Sequence, residues 1–240
     1  MTARAAPAGG ASSRQRIGLL GGTFDPVHRG HLRLARVAAA RFRLDWVYFL
    51  PARRPWHKAA PGVSYEDRFA MVALALAGQP RFQPLAVPSR GARPTYSVDE
   101  VAWVARRHPR ARLYFLIGAD AFAAIGTWKN YRRLLASVEF IVAPRAGFGL
   151  PDLAAALPPG LGARTAGGAL RLAHGRAHWL AGFRAAGSSR QLRRLLAERH
   201  PAASRSVPAR VLEYIERGSL YPAGGASISP RLGGDSSVPC

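Results

Sequence analysis

The chain has 240 residues, with nearly half hydrophobic, which is enough for one domain with a full core or for a domain with tails. No apolar run approaches ~18–20 residues and the N-terminal stretch lacks an apolar core of ~7–15 residues, which disfavours a membrane span and a secretory signal. The single cysteine, Cys240, excludes an intramolecular disulfide and a cysteine metal site, and these features together predict a cytoplasmic protein. The formal charge of +22 fits three readings: general basic composition, attraction of small anionic substrates, or a nucleic-acid surface. Only Lys58 and Lys129 are lysines and the arginines are scattered, which favours general composition over a nucleic-acid stripe.

Residues 1–15 and 223–240 are rich in Gly, Ala, Ser and Pro and carry no sustained apolar pattern, so both are expected to be disordered tails around a domain at 16–222. In chain order, apolar runs predict strands over 17–20, 46–50, 82–87, 112–117 and 138–143, each buried on both faces. Helices are expected over 30–42, 65–77, 97–107, 130–136, 189–199 and 208–217. Ser64 is placed to cap the second helix, with Asp67 completing a capping-box pattern. Pro208 suits the first turn of the last helix and Gly218 its exit. Residues 146–187 are Ala/Gly/Pro-rich, with a short strand expected near 178–183. Alternating strands and helices predict an α/β fold with a parallel sheet covered on both faces.

The run GGTFDPVHRGHL at 21–32 follows the first strand and opens the first helix. Ligands in such sheets bind at the carboxyl ends of strands, where this run falls. Glycine removes the Cβ that would hold a phosphate away. The helix entry offers N–H groups and partial positive charge, and His28 and His31 can donate to phosphate oxygens. This suits a nucleoside triphosphate. The spacing is neither the dinucleotide G-x-G-x-x-G nor a Walker A loop. Zinc ligation by the two histidines is the rival reading, but no third or fourth ligand stands near them in sequence.

The same run resembles the signature of the nucleotidyltransferase superfamily with an HxGH motif, here His28-Arg29-Gly30-His31. Further segments resemble bacterial nicotinate-nucleotide adenylyltransferases in that family's order: LPARRPWHK at 50–58, YEDRFAMV at 65–72, PTYSVDEV at 94–101, LIGADAF at 116–122 with Trp128-Lys129, SSRQLRRLL at 188–196, and VPARVLEYIERGSLY at 207–221. The resemblance covers about residues 16–222. It implies a Rossmann-like doubly wound parallel sheet in a single nucleotidyltransferase domain. The reaction implied is adenylyl transfer from ATP to nicotinic acid mononucleotide, giving deamido-NAD and pyrophosphate in NAD biosynthesis, with Mg²⁺ accompanying ATP.

For ATP, the resemblance implies Gly21, Gly22, Thr23 and Phe24 as a backbone cradle, and His28 and His31 as catalytic phosphate contacts. It implies Gly118 and Asp120 beside the adenosine, and Ser188, Ser189 and Arg193 on the outer phosphates. For the acceptor it implies His57 and Lys58 near the phosphate, Trp128 stacked on the pyridine ring, and Tyr96 and Ser97 beside the nicotinate carboxylate. Asp25 either joins the cradle or braces the loop. Arg68 either orients phosphate or pairs with Asp67 or Glu66. Arg145, Trp103 and His108 have no assigned role; core or surface packing is the default for Trp103 and His108.

Three departures fall at Arg190, where the family has Thr, at Trp56, where a second Pro is expected, and at the substrate loop. There Ser97 and Glu100 replace threonines, and a charged Glu100 facing the pocket would repel an acid substrate. The acceptor therefore stays open between nicotinic acid mononucleotide, nicotinamide mononucleotide and another phosphate. A basic nucleic-acid-binding protein on the same fold is the distant alternative, and a homo-oligomer is left open.

Overall fold

A computed structural model describes residues 14–54, 62–88, 94–145, 147–161, 164–184 and 187–223. Eight strands form one sheet in the order β3-β2-β1-β4-β5-β8-β7-β6. They are β1 (Arg16–Gly22), β2 (Trp46–Pro51), β3 (Phe82–Pro84), β4 (Arg112–Gly118), β5 (Glu139–Ala143), β6 (Arg164–Ala166), β7 (Ala169–Leu172) and β8 (Gly175–Trp179). The nine helices among the described residues are α1 (Arg29–Phe42), α2 (Tyr65–Leu76), α3 (Ser97–Arg107), α4 (Ala119–Ala123), α5 (Tyr131–Ser137), α6 (Leu150–Ala155), α7 (Ser189–Ala197), α8 (Ala202–Ser206) and α9 (Ala209–Arg217).

β1 to β5 pair in parallel, and β8 joins β5 in parallel. The expected wholly parallel sheet is corrected at one edge, where β6–β7 and β7–β8 are antiparallel. The β6–β7 hairpin turns through Gly167 and Gly168, both at positive φ. Two consecutive left-handed residues match the right-handed twist of a hairpin, and glycine adopts that conformation without a Cβ clash.

Successive side chains on a strand point to opposite faces. Along β4, Tyr114 and Leu116 enter the core cluster beneath α1, α2, α7 and α9, whereas Leu113, Phe115 and Ile117 enter the cluster beneath α3, α4 and α5. Double burial explains why the central strands read as continuous apolar runs. Gly18 has its reason in the same packing: a Cβ there would lie 2.8 Å from Leu44 Cδ1 and 3.2 Å from Val47 Cγ2.

The expected strand over 82–87 stops at Pro84, after which one bond, Leu85 N–H to the Phe49 carbonyl at 2.8 Å, continues toward β2. The strand expected near 178–183 lies earlier, at Gly175–Trp179, because Ala177 and His178 face Phe140 and Ile141 of β5. The tails at 1–13 and 224–240 lie outside the described residues. No described helix is long and apolar enough to cross a membrane.

Two neighbouring central strands, β1 and β4, feed helices on opposite faces: α1 packs on one core cluster and α4 on the other. Such a reversal opens a crevice at the carboxyl ends of the strands. The glycine-histidine run leaves β1 there, and Gly118 and Asp120 leave β4 beside it.

Candidate active site

The chain turns off β1 at Phe24, which takes a left-handed backbone (φ 51°) with its ring buried against Phe49 (centroids 5.7 Å) and His31 (5.0 Å). A left-handed non-glycine residue persists where surrounding packing over-determines it. Gly21 and Gly22 serve this packing too. A Cβ on Gly21 would stand 3.0 Å from Phe115 Cζ, and one on Gly22 would stand 3.1 Å from Phe24 Cζ. The two glycines thus seat aromatic rings, in addition to any closeness they allow a ligand.

His28 is the N-cap of α1 and His31 lies three residues on. The Gly30 N–H donates to His28 Nδ1 at 3.1 Å, and the His28 N–H donates to His31 Nδ1 at 3.2 Å. This is a capping box built from two imidazoles, and it gives the three-residue spacing a mechanical reason. An Nδ1 that accepts carries no proton, so each ring in this arrangement holds its proton on Nε2. The rings stack with centroids 3.8 Å apart. Burial, with the charge of Arg145 as a second cause, pushes the His28 pKa down to about 4. At neutral pH His28 is therefore an uncharged Nε2–H donor.

Arg145 follows β5 and had no assigned role in the sequence. Its charge reaches His28, and its Nε lies 3.6 Å from Asp120 Oδ1. The usable signal was positional, an arginine at the carboxyl end of an apolar strand. Asp120 sits in the first turn of α4, whose N-cap is Gly118.

Asp25 braces the loop. Its carboxylate is buried and accepts from the Tyr221 hydroxyl (2.7 Å) and the Gly62 N–H (2.9 Å), and Arg193 Nη1 stands 3.3 Å from Oδ2. The same Nη1 donates to the Asp25 carbonyl at 2.7 Å. Burial pushes the Tyr221 hydroxyl pKa up, with the Asp25 charge and hydrogen bond adding to it. Ser189 donates its hydroxyl to the Pro26 carbonyl at 3.1 Å, and Ser188 caps α7 by accepting from Gln191 N–H. The entry of α7 is thus held against the entry of α1 across some 160 positions of sequence. Arg190 is exposed on the first turn of α7.

Arg68 takes neither of the roles weighed for it. It is buried, and its guanidinium donates to the carbonyls of Thr23 (2.7 Å), Ala52 (2.8 Å) and Arg53 (3.3 Å). It clamps the ends of β1 and β2 together, and burial lowers its pKa. Asp67 accepts instead from the Ser64 hydroxyl (2.6 Å) and from Tyr214 (2.9 Å), joining α2 to α9.

On the acceptor side, Tyr96 is the N-cap of α3, Ser97 is its first residue, and Lys129 Nζ lies 4.1 Å from the Tyr96 ring centroid. Trp128 is partly buried and meets Phe115 edge to face at 6.2 Å. Glu100 is buried, and burial, helped by neighbouring Asp99, pushes its carboxyl pKa up to about 8. It is therefore mostly neutral at pH 7, which removes the repulsion expected of a charged Glu100. His57, Lys58 and Trp56 lie outside the described residues. Trp103 stacks under Arg107 at 3.6 Å, and His108 packs against Tyr48. No group of three or more His, Cys, Asp or Glu placed to hold a metal occurs among the described residues.

A family model described as Cytidylyltransferase-like matches residues 19–194. Curated relatives include a probable nicotinate-nucleotide adenylyltransferase of Geobacter sulfurreducens, 40% identical over 214 residues, covering 86% of this chain and 98% of the relative. One of the same description from Pelobacter propionicus is 36% identical over 212 residues with the same coverage. Among solved structures, a Plasmodium falciparum nicotinic acid mononucleotide adenylyltransferase complexed with NaAD aligns with TM-score 0.65 over 86% of this chain and 97% of that one. Its 16% identity speaks for the fold alone. The strand-end crevice, the paired imidazoles and the extent of these matches lead to one assignment: the chain belongs to the nicotinate-nucleotide adenylyltransferase family, within the cytidylyltransferase-like fold.

Proposed function

We propose that the protein transfers the adenylyl group of ATP to nicotinic acid mononucleotide, forming deamido-NAD and pyrophosphate in the cytoplasm as a step of NAD biosynthesis. The observation that carries this reading is the pair of imidazoles that cap one another at the α1 entry, with Arg145 close by. An oxygen of the mononucleotide phosphate attacks the α-phosphorus, a new P–O bond forms, and the bond to the β-phosphate bridging oxygen breaks. The attacking oxygen is already anionic, so no general base is required, and catalysis is positioning and charge stabilisation.

His28 and His31 donate from Nε2 to oxygens on the reacting phosphates, where a single such donor is worth roughly 10²–10³ in rate. The α7 entry, with Ser188, Ser189 and Arg193, receives the outer phosphates. Asp120 accepts from ribose hydroxyls, Trp128 stacks on the pyridine ring, and Tyr96 and Ser97 flank its substituent. Lys58 and His57 take the acceptor phosphate. Asp25 is committed to Tyr221, Gly62 and Arg193, and no group of three or more His, Cys, Asp or Glu placed to hold a metal occurs among the described residues. Mg²⁺ bound with ATP would offset phosphate charge.

Pyrophosphate release is measured from ATP with the acid mononucleotide, then with the amide. The proposal expects the higher kcat/KM for the acid and a loss of at least about a hundredfold in His31→Ala. A higher kcat/KM for the amide overturns the acceptor assignment, and a fully active His31→Ala overturns the mechanism.

A further inference from the structure

A cavity of about 450 Å³ runs along the entry of α3, and its walls include Thr95, Tyr96, Glu100, Trp103, Lys129 and Arg133. Its size falls in the range of small-molecule sites. Two polar side chains of this wall are buried. The Thr95 hydroxyl is sealed from solvent without a hydrogen bond. Glu100, one turn into α3, is 5% exposed and its side chain lines the same wall. A buried polar group left unpaired costs about 1–3 kcal/mol, which a ligand of matching chemistry recovers.

We propose that Glu100 selects between acid and amide acceptors by presenting its carboxyl as a proton donor to the substituent of the pyridine ring. The inference rests on the reading of the protein as an adenylyltransferase of a pyridine mononucleotide. It concerns a position where this chain departs from the threonine of the substrate-loop motif it resembles, so it describes this chain's own selectivity.

Several ionisable groups bear on Glu100. Asp99 and Arg106 lie on α3 itself; Lys129 and Arg133 belong to the wall formed by α5 and the turn before it. Tyr65 of α2 lies close enough for the Glu100 charge to contribute to its raised pKa. Tyr96 is held under the Lys129 ammonium. Burial, with the charge of Asp99 as the second cause, keeps the carboxyl protonated to about pH 8. In that form it donates to a carboxylate. Once ionised, it repels a carboxylate and accepts from the –NH₂ of a carboxamide.

The test compares kcat/KM for the acid and amide mononucleotides across the pH range for the wild type, Glu100→Gln and Glu100→Thr. Taking the ratio of the two acceptors cancels the ATP site and the acceptor phosphate, which both reactions share. In the wild type the acid-to-amide ratio is expected to fall about tenfold between about pH 7 and pH 9, following the protonated fraction. In both variants, which cannot ionise there, the ratio is expected to stay flat. An unaltered pH slope in folded Glu100→Gln or Glu100→Thr, verified by thermal melting, overturns the inference while leaving the adenylyltransferase reading intact. A wild type that releases no pyrophosphate with either acceptor overturns both.

Discussion

Replacing Arg68 with methionine keeps an apolar stem in the core and deletes the guanidinium that joins the ends of β1 and β2. Three carbonyls lose a charged donor, two of them bound at 2.7 and 2.8 Å and the third at 3.3 Å. A fully buried carbonyl left unsatisfied costs about 1–3 kcal/mol; these bonds are part-buried, so each stands toward the lower end and the longest contributes least. Part of this is offset, because burying the cation itself carries a desolvation cost and its Nε has no partner. The net expectation is a loss of about 3 kcal/mol, a large share of the ~5–15 kcal/mol typical of a domain. Arg68→Lys, whose compact ammonium cannot span all three carbonyls, is expected to lose about half as much. Urea unfolding at constant m measures both. The Thr23 carbonyl lies one residue before the left-handed Phe24, so the KM for ATP should rise in parallel. A methionine variant within about 1 kcal/mol of wild type would refute the clamp, since one unsatisfied carbonyl alone costs that much.

The low pKa of His28 predicts an acid-sensitive limb of stability. Folded His28 stays neutral to about pH 4, while the unfolded chain protonates it near 6.5, so the unfolded state binds more protons between these values and stability falls as pH drops. The loss between about pH 7 and pH 5 is about 2 kcal/mol, and it should vanish from the urea-unfolding pH profile of His28→Asn. Tyr221→Phe removes one donor from the buried Asp25 carboxylate and is expected to cost about 1.5–3 kcal/mol. A thermal melt indistinguishable from wild type would show that Asp25 does not need that hydroxyl.

The central sheet was legible because its strands are buried on both faces, so runs such as LYFLI at 113–117 announce themselves without alternation. The antiparallel edge was harder to read, because β6 is exposed at every residue and β7 at Arg171. Its one strong signal is the Gly167-Gly168 pair, a two-residue hairpin turn inside an otherwise featureless stretch. The short helix α4 was hidden because it follows β4 without a break and spans only five residues. At the site, the glycine-histidine run could be located from spacing, but the roles of Arg68 and Asp25 could not. Both depend on partners distant in sequence: Asp25 meets Tyr221 across 196 positions, and Arg68 reaches back 45 residues to Thr23. Glu100 shows the opposite difficulty, since its chemistry is set by burial, which residue type alone misstates.

The tie between Asp25 and Tyr221 also orders the making of the protein in time. The nucleotide turn leaves the first strand and is among the earliest segments to be synthesised, yet its carboxylate is completed by Gly62, Arg193 and Tyr221 in succession. Until residue 221 has emerged and docked, the Asp25 carboxylate lacks the last of these partners. A chain clipped ahead of Tyr221 would carry every residue of the HxGH motif and lack one donor to the carboxylate that braces its turn. The segment after α9 thus completes the bracing of the turn that follows β1.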